Sequence, residues 1–121
     1  ENSDKQEVNE SLIKCYQKLS KTQVQLRKMK DALESLRKAL SHAKEFYGSE
    51  ARNLTVAKLY FEIGEVLLSG KQADKAIEMM NKCLRIQREL NCDKVAICNT
   101  IFQIGEIHRS IDEYMEATGC Y

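Results

Sequence analysis

The stretch Lys58-Leu59-Tyr60-Phe61-Glu62-Ile63-Gly64-Glu65 returns 41 residues later as Asn99-Thr100-Ile101-Phe102-Gln103-Ile104-Gly105-Glu106. Each copy sets large apolar residues and an Ile-Gly-Glu triplet at three- and four-residue spacing, which is the spacing of one side of an α-helix. Ala76 and Ala117 share that offset. A second correspondence joins Ala32-x-x-x-Leu36-x-x-Ala39-Leu40 to Ala76-x-x-x-Met80-x-x-Cys83-Leu84, 44 residues apart. Recurrence with a period of roughly 20–50 residues marks an architecture of stacked units, each covering the apolar face of its neighbour. Gly64, Ala76, Gly105 and Ala117 are small enough to let two helices approach closely, and the large residues between them fill the remaining space.

Working outward, the rest of the chain agrees with helices. Its 121 residues suit one domain or a short repeat array. There is no proline and there are only five glycines, so little interrupts helical hydrogen bonding. The β-branched and aromatic clusters that announce strands are missing. An all-α fold of tandem helical hairpins follows. The net charge is +1, from 19 basic and 18 acidic residues, which gives no global attraction to nucleic acid or membrane. Between residues 11 and 30, however, six bases (Lys14, Lys18, Lys21, Arg27, Lys28 and Lys30) stand without an acid. That run is either a solvated helix face or a docking face for an acidic protein surface or anionic lipid. With Tyr16 its one aromatic residue, it lacks a stacking surface, and specific nucleic-acid binding is not expected. No secretory signal and no apolar run long enough to span a bilayer occurs.

Five cysteines (Cys15, Cys83, Cys92, Cys98 and Cys120) show no C-x-x-C spacing. The odd count points to reduced thiols and a cytoplasmic protein. The two histidines, His42 and His108, are too scattered for a zinc site. No nucleophile–base or paired-carboxylate arrangement has workable spacing, and no Gly-rich phosphate loop occurs. The expectation is a non-enzymatic protein without cofactor or metal. The helical pattern runs into both ends of the chain, as in a piece of a longer protein.

Breakers at Tyr47-Gly48-Ser49, Ser69-Gly70-Lys71 and Asn91-Cys92-Asp93 divide the chain. Gly48 and Gly70 fit helix C-caps, with Asn91 a weaker one, and Asp93 and Asp112 fit N-caps. The expected segments run over about 5–47, 52–69, 72–90 and 94–109, with a last one starting at Asp112. The first carries a heptad pattern. Leu12, Leu19, Leu26, Leu33, Leu40 and Tyr47 alternate with Val8, Cys15, Thr22, Met29, Leu36 and Ala43. Without a breaker, this reads as one helix of roughly 40 residues, about 60 Å long. Its first half, residues 1–30, would seek a partner helix through the seam Leu12, Cys15, Leu19, Leu26 and Met29, in a homodimer or against another protein. The alternative is a hairpin with its turn near Gln25 to Met29. Residues 31–121 hold the repeats, the last one truncated.

These units resemble the tetratricopeptide repeat. In that pattern helix A corresponds to Tyr60, Ile63-Gly64 and Leu67, and helix B to Ala76, Met80 and Cys83. The next unit gives Ile101, Ile104-Gly105 and His108, then Ala117 and Tyr121. The unit length of 41–44 residues is similar to kinesin light chain and nephrocystin-type repeats, although the paired helix-A asparagines of kinesin light chain are here Phe61-Glu62 and Phe102-Gln103. The resemblance implies a protein-binding scaffold or adaptor whose A helices line a groove for a partner peptide. The groove positions would be Lys58, Phe61, Glu65 and Leu68, then Asn99, Phe102, Glu106 and Arg109. Apolar steps with an acidic stripe suit a peptide carrying apolar anchors and basic residues. Glu65 and Glu106 would repel a terminal carboxylate of the kind chaperones present. The alternative is a structural component of a cytoskeletal, motor-linked or ciliary assembly, docked mainly by the long helix.

Overall fold

The computed structural model describes residues 2–48 and 53–118, and within its helices the side chains of 2–4, 6, 114 and 116–118 are not described. Among the described residues there are five helices and no strand: α1 (Asn2–Gln25), α2 (Met29–Tyr47), α3 (Leu54–Ser69), α4 (Ala73–Glu89) and α5 (Lys94–Thr118). They form two antiparallel hairpins, α1–α2 and α3–α4, with α2 packed on α3 and α5 packed on α4.

The single 40-residue helix is not formed; the hairpin is. Arg27 adopts φ 61°. The Lys28 amide then donates to the Gln23 carbonyl (2.7 Å) and the Arg27 amide to that of Val24 (2.9 Å), a Schellman closure. The same two bonds recur at the α3–α4 turn around Lys71 (φ 63°) and at the α4–α5 turn around Asn91 (φ 52°). None of the three left-handed residues is a glycine, which is why no breaker marks the first turn. Gly70 is the C-cap of α3 as expected, but at φ −84°, and the left-handed conformation falls on Lys71. Gly48 does take the left-handed side, at φ 103°. The boundary expected after residue 30 falls just inside α2.

A second correction concerns α5. A break before Asp112 was expected, yet α5 is continuous from Lys94. The junction 109–112 contains neither Gly nor Pro. Ser110 turns its hydroxyl inward to the Glu106 carbonyl (3.0 Å) instead of opening the helix. Asp93 does cap α5, accepting from the Val95 amide at 3.2 Å. Asn53 caps α3 in the same way through Val56, at 2.9 Å. The side chain of Ala117, and Ser49, Arg52, Cys120 and Tyr121, lie outside the described residues.

Helix α3 is the centre of the core. Val56, Ala57, Leu59, Tyr60, Ile63, Gly64, Val66 and Leu67 are all buried on it, because it is covered on one side by α2 and on the other by α4. Gly64 lies at a close approach of α4. A Cβ at that position would meet Met80 Cε at 2.9 Å, Met80 Cγ at 3.2 Å and the Ala76 carbonyl oxygen at 3.3 Å. The first hairpin repeats this arrangement 44 residues earlier, where Tyr16-x-x-Leu19-Ser20 stands for Tyr60-x-x-Ile63-Gly64 and buried Ser20 replaces the glycine. Tyr16 stacks on His42 (5.8 Å between ring centroids), and Ser35 Oγ donates to Gln23 Oε1 at 2.8 Å, zipping α1 to α2.

Candidate functional site

The three first-of-pair helices, α1, α3 and α5, share one side of the molecule. Gln17 on α1 reaches α3 directly, its Nε2 donating to Glu62 Oε1 at 2.6 Å. Of the groove residues expected on α3, Lys58 and Glu65 are exposed, and Phe61 and Leu68 are half-buried against the core. On α5, Asn99 and Arg109 are exposed and Glu106 is half-buried. Phe102 is 63% exposed, unlike its counterpart Phe61. Leu68 borders a groove with Ile111 and Met115 of α5, rimmed by Lys71 and Lys75.

The acidic character of this side comes from Glu62 and Glu65. Burial raises the pKa of both carboxyls above the ordinary carboxylate range. For Glu62 the Gln17 hydrogen bond and Lys58 and Lys21 pull the other way, while for Glu65 the Glu62 charge adds to the rise. Glu106 is instead paired with Arg109 at 2.6 Å. By the 44-residue correspondence, Lys14, Lys18 and Lys21 on α1 match Lys58, Glu62 and Glu65 on α3. All three lysines are exposed. The shared side is thus basic along α1 and acidic along α3.

The raised carboxyl pKa values make a prediction. The folded protein binds these protons more tightly than the unfolded chain, so stability falls as pH rises from the ordinary carboxylate range through the raised values. The full penalty is present at neutrality. Glu62→Gln with Glu65→Gln should therefore raise the denaturation midpoint at about pH 7, by an amount that shrinks toward about pH 4. An equal shift at both pH values would refute the burial cause.

The seam residues of α1 lie elsewhere. Val8 (58%), Leu19 (46%) and Leu26 (62%) are exposed with Cys15, and Leu12 is half-buried. The helix meets α2 through Ile13, Tyr16, Ser20 and Val24, a different face. Met29 starts α2 and packs on the core. His108, which the repeat pattern sets opposite buried Leu67, is exposed. Among the described residues no group of three or more His, Cys, Asp or Glu could hold a metal ion. Nor is any helix among them long and apolar enough to cross a membrane. Burial raises the Cys83 thiol pKa, which suits a packing role.

No curated protein and no solved structure matches the chain. The family model of the tetratricopeptide repeat matches residues 13–47 and 57–90, more than half of the sequence and the two hairpins in turn. Repeats of this kind mediate protein–protein interaction, and the chain belongs to the tetratricopeptide repeat family.

Proposed function

We propose that the protein is a non-enzymatic adaptor that holds a partner peptide along the side shared by α1, α3 and α5. The observation that carries this is half-buried Glu62 with exposed Glu65, on the same helix as half-buried Phe61 and Leu68, with burial raising the pKa of both carboxyls. Carboxylates already partly stripped of water gain from meeting a cation more than fully solvated ones do. Phe61 and Leu68 offer apolar steps for the intervening side chains. Exposed Phe102 and the Glu106–Arg109 pair extend the surface onto α5.

The test is fluorescence anisotropy with two labelled ten-residue peptides, one of leucine and arginine in alternation and one with glutamate replacing arginine. The arginine peptide binds and the glutamate peptide does not. Phe61→Ala and Glu65→Lys each weaken binding by about tenfold, the size expected for truncating one anchor or one charge partner. Equal binding of both peptides, or no response to either variant, overturns the reading.

A second reading has its own observation, the uncovered heptad stripe of α1. Val8, Cys15, Leu19 and Leu26 fit pairing with another helix, in a homodimer or in a cytoskeletal or ciliary assembly. Sedimentation equilibrium of the chain, and of Leu19→Glu with Leu26→Glu, decides the homodimer. Association lost in the double variant supports it, and a monomer in both cases removes it.

A further inference from the structure

Charge changes sign between the two neighbouring helices α1 and α3. Lys18 and Lys21 on α1 hold the places of Glu62 and Glu65 on α3, and no acid occurs between residues 11 and 30. Gln17 Nε2 donates to Glu62 Oε1 at 2.6 Å, so the two rows lie side by side. Lys21 is near enough to act on both carboxyls: burial raises their pKa, and its charge is among those pulling back. The lysines also stand where a helix stays open with neighbours on both its sides. On α3, packed between α2 and α4, the equivalents of Leu12, Cys15 and Leu19 are buried Val56, Leu59 and Ile63. Lys58 and Glu65 are exposed there and Glu62 is half-buried. The apolar step of Phe61 has no match on α1, where Gln17 stands.

We propose that the partner is a charge-segregated peptide, with a basic, apolar-anchored segment over α3 and an acidic segment over Lys14, Lys18 and Lys21 of α1. This rests on the peptide-binding reading of the shared side and names the partner's chemistry. About three or four residues of extended chain cross the interval between neighbouring helices, so one short peptide covers both rows. Without a Phe61 to grip, the acidic segment does not hold by itself. Joined to the anchored segment, it binds as an intramolecular event and adds affinity. Intermixed charges would instead set like against like on both rows, which costs affinity. Glu62 and Glu65 beside the lysines disfavour an anionic membrane, because they repel it.

The experiment uses the whole chain, fluorescence anisotropy and the leucine–arginine peptide described above. A leucine–glutamate segment is added at one end of that peptide or at the other, since charge leaves the chain direction open. A further peptide has the same residues with glutamate and arginine intermixed. One extended peptide binds about tenfold tighter than the leucine–arginine peptide, and the intermixed one binds more weakly than either extended form. Lys18→Glu with Lys21→Glu keeps the parent helix content, removes the gain, and leaves the leucine–arginine peptide bound at least as tightly. Phe61→Ala weakens both. If the leucine–arginine peptide binds but neither extension adds affinity, or the gain survives the double lysine variant, this proposal is overturned and the groove reading stands. If the leucine–arginine peptide does not bind, the groove reading falls and takes this one with it. Binding to vesicles of phosphatidylcholine and phosphatidylserine in equal parts, lost in the double lysine variant, also overturns it, because the lysines then serve a membrane.

Discussion

Replacing Gly64 with leucine should lower the stability of the protein by about 3 kcal/mol, the upper part of the usual range for forcing bulk into a packed interface. The same replacement at Gly105 should raise it. At Gly64 even the first added carbon sits 2.9 Å from Met80 Cε and 3.3 Å from the Ala76 carbonyl oxygen. The methionine end can swing aside, but the carbonyl belongs to the backbone of α4 and moves only if the helix moves. Leucine adds three more carbons in that direction, so α3 and α4 must separate. Any gain from a better helix former, about 1 kcal/mol for replacing a glycine, is outweighed. At Gly105 only that gain operates, because nothing among the described residues lies within 4 Å of an added Cβ. Urea denaturation of the two variants should therefore shift the midpoint in opposite directions. Equal shifts would mean that the two glycines share one environment, contrary to the packing described.

The contrast also shows what could be read in advance. The recurrence of Ile-Gly-Glu announces a helical hairpin repeat, and at Gly64 the small residue meets a close approach of α4. The same reasoning, carried back 44 residues from Gly64, reaches Ser20 and Tyr16 and would have revealed the first hairpin. It was obscured by two things. The heptad pattern over residues 8–47 is real, but it runs over two faces. Its second half, with Leu36 and Ala43, is buried in the core, while Val8, Leu19 and Leu26 point away from α2. The turn between them rests on Arg27, a residue with no local preference for the left-handed region, held there by two backbone bonds. The site was legible in part for a related reason. Lys58, Phe61, Glu65 and Leu68 follow from counting around α3. The contribution of α1, and the raised carboxyl of Glu62 beside Gln17, depend on how one hairpin sits against the next. No spacing within a single helix encodes that.

Leu36→Ala and Met80→Ala should each cost about 2–5 kcal/mol, and each should move one unfolding transition rather than split it. The two positions are equivalent across the 44-residue correspondence, and both are closed to solvent, at 1% and 0% exposure. Removing either side chain leaves a cavity that helices held by a short turn cannot collapse around. A loss of that size is a large share of the roughly 5–15 kcal/mol that holds a typical domain together. Whether it unfolds one hairpin or both depends on the joint between α2 and α3. Ala39 and Ala43 of α2 are fully buried, and Val56, Ala57 and Leu59 of α3 are at most 2% exposed. Small residues on one helix and large ones on the next let the backbones come close, so the joint is built like the interior of a hairpin. In a linear array, stability is the sum of the units and their shared interfaces. If either hairpin unfolded alone, the survivor would expose this joint to water. Hydrogen exchange in the Leu36→Ala variant should then show the amides of α3 and α4 losing protection together with those of α1 and α2. A Leu36→Ala protein whose second hairpin kept its parent protection would show instead that the two repeats fold independently.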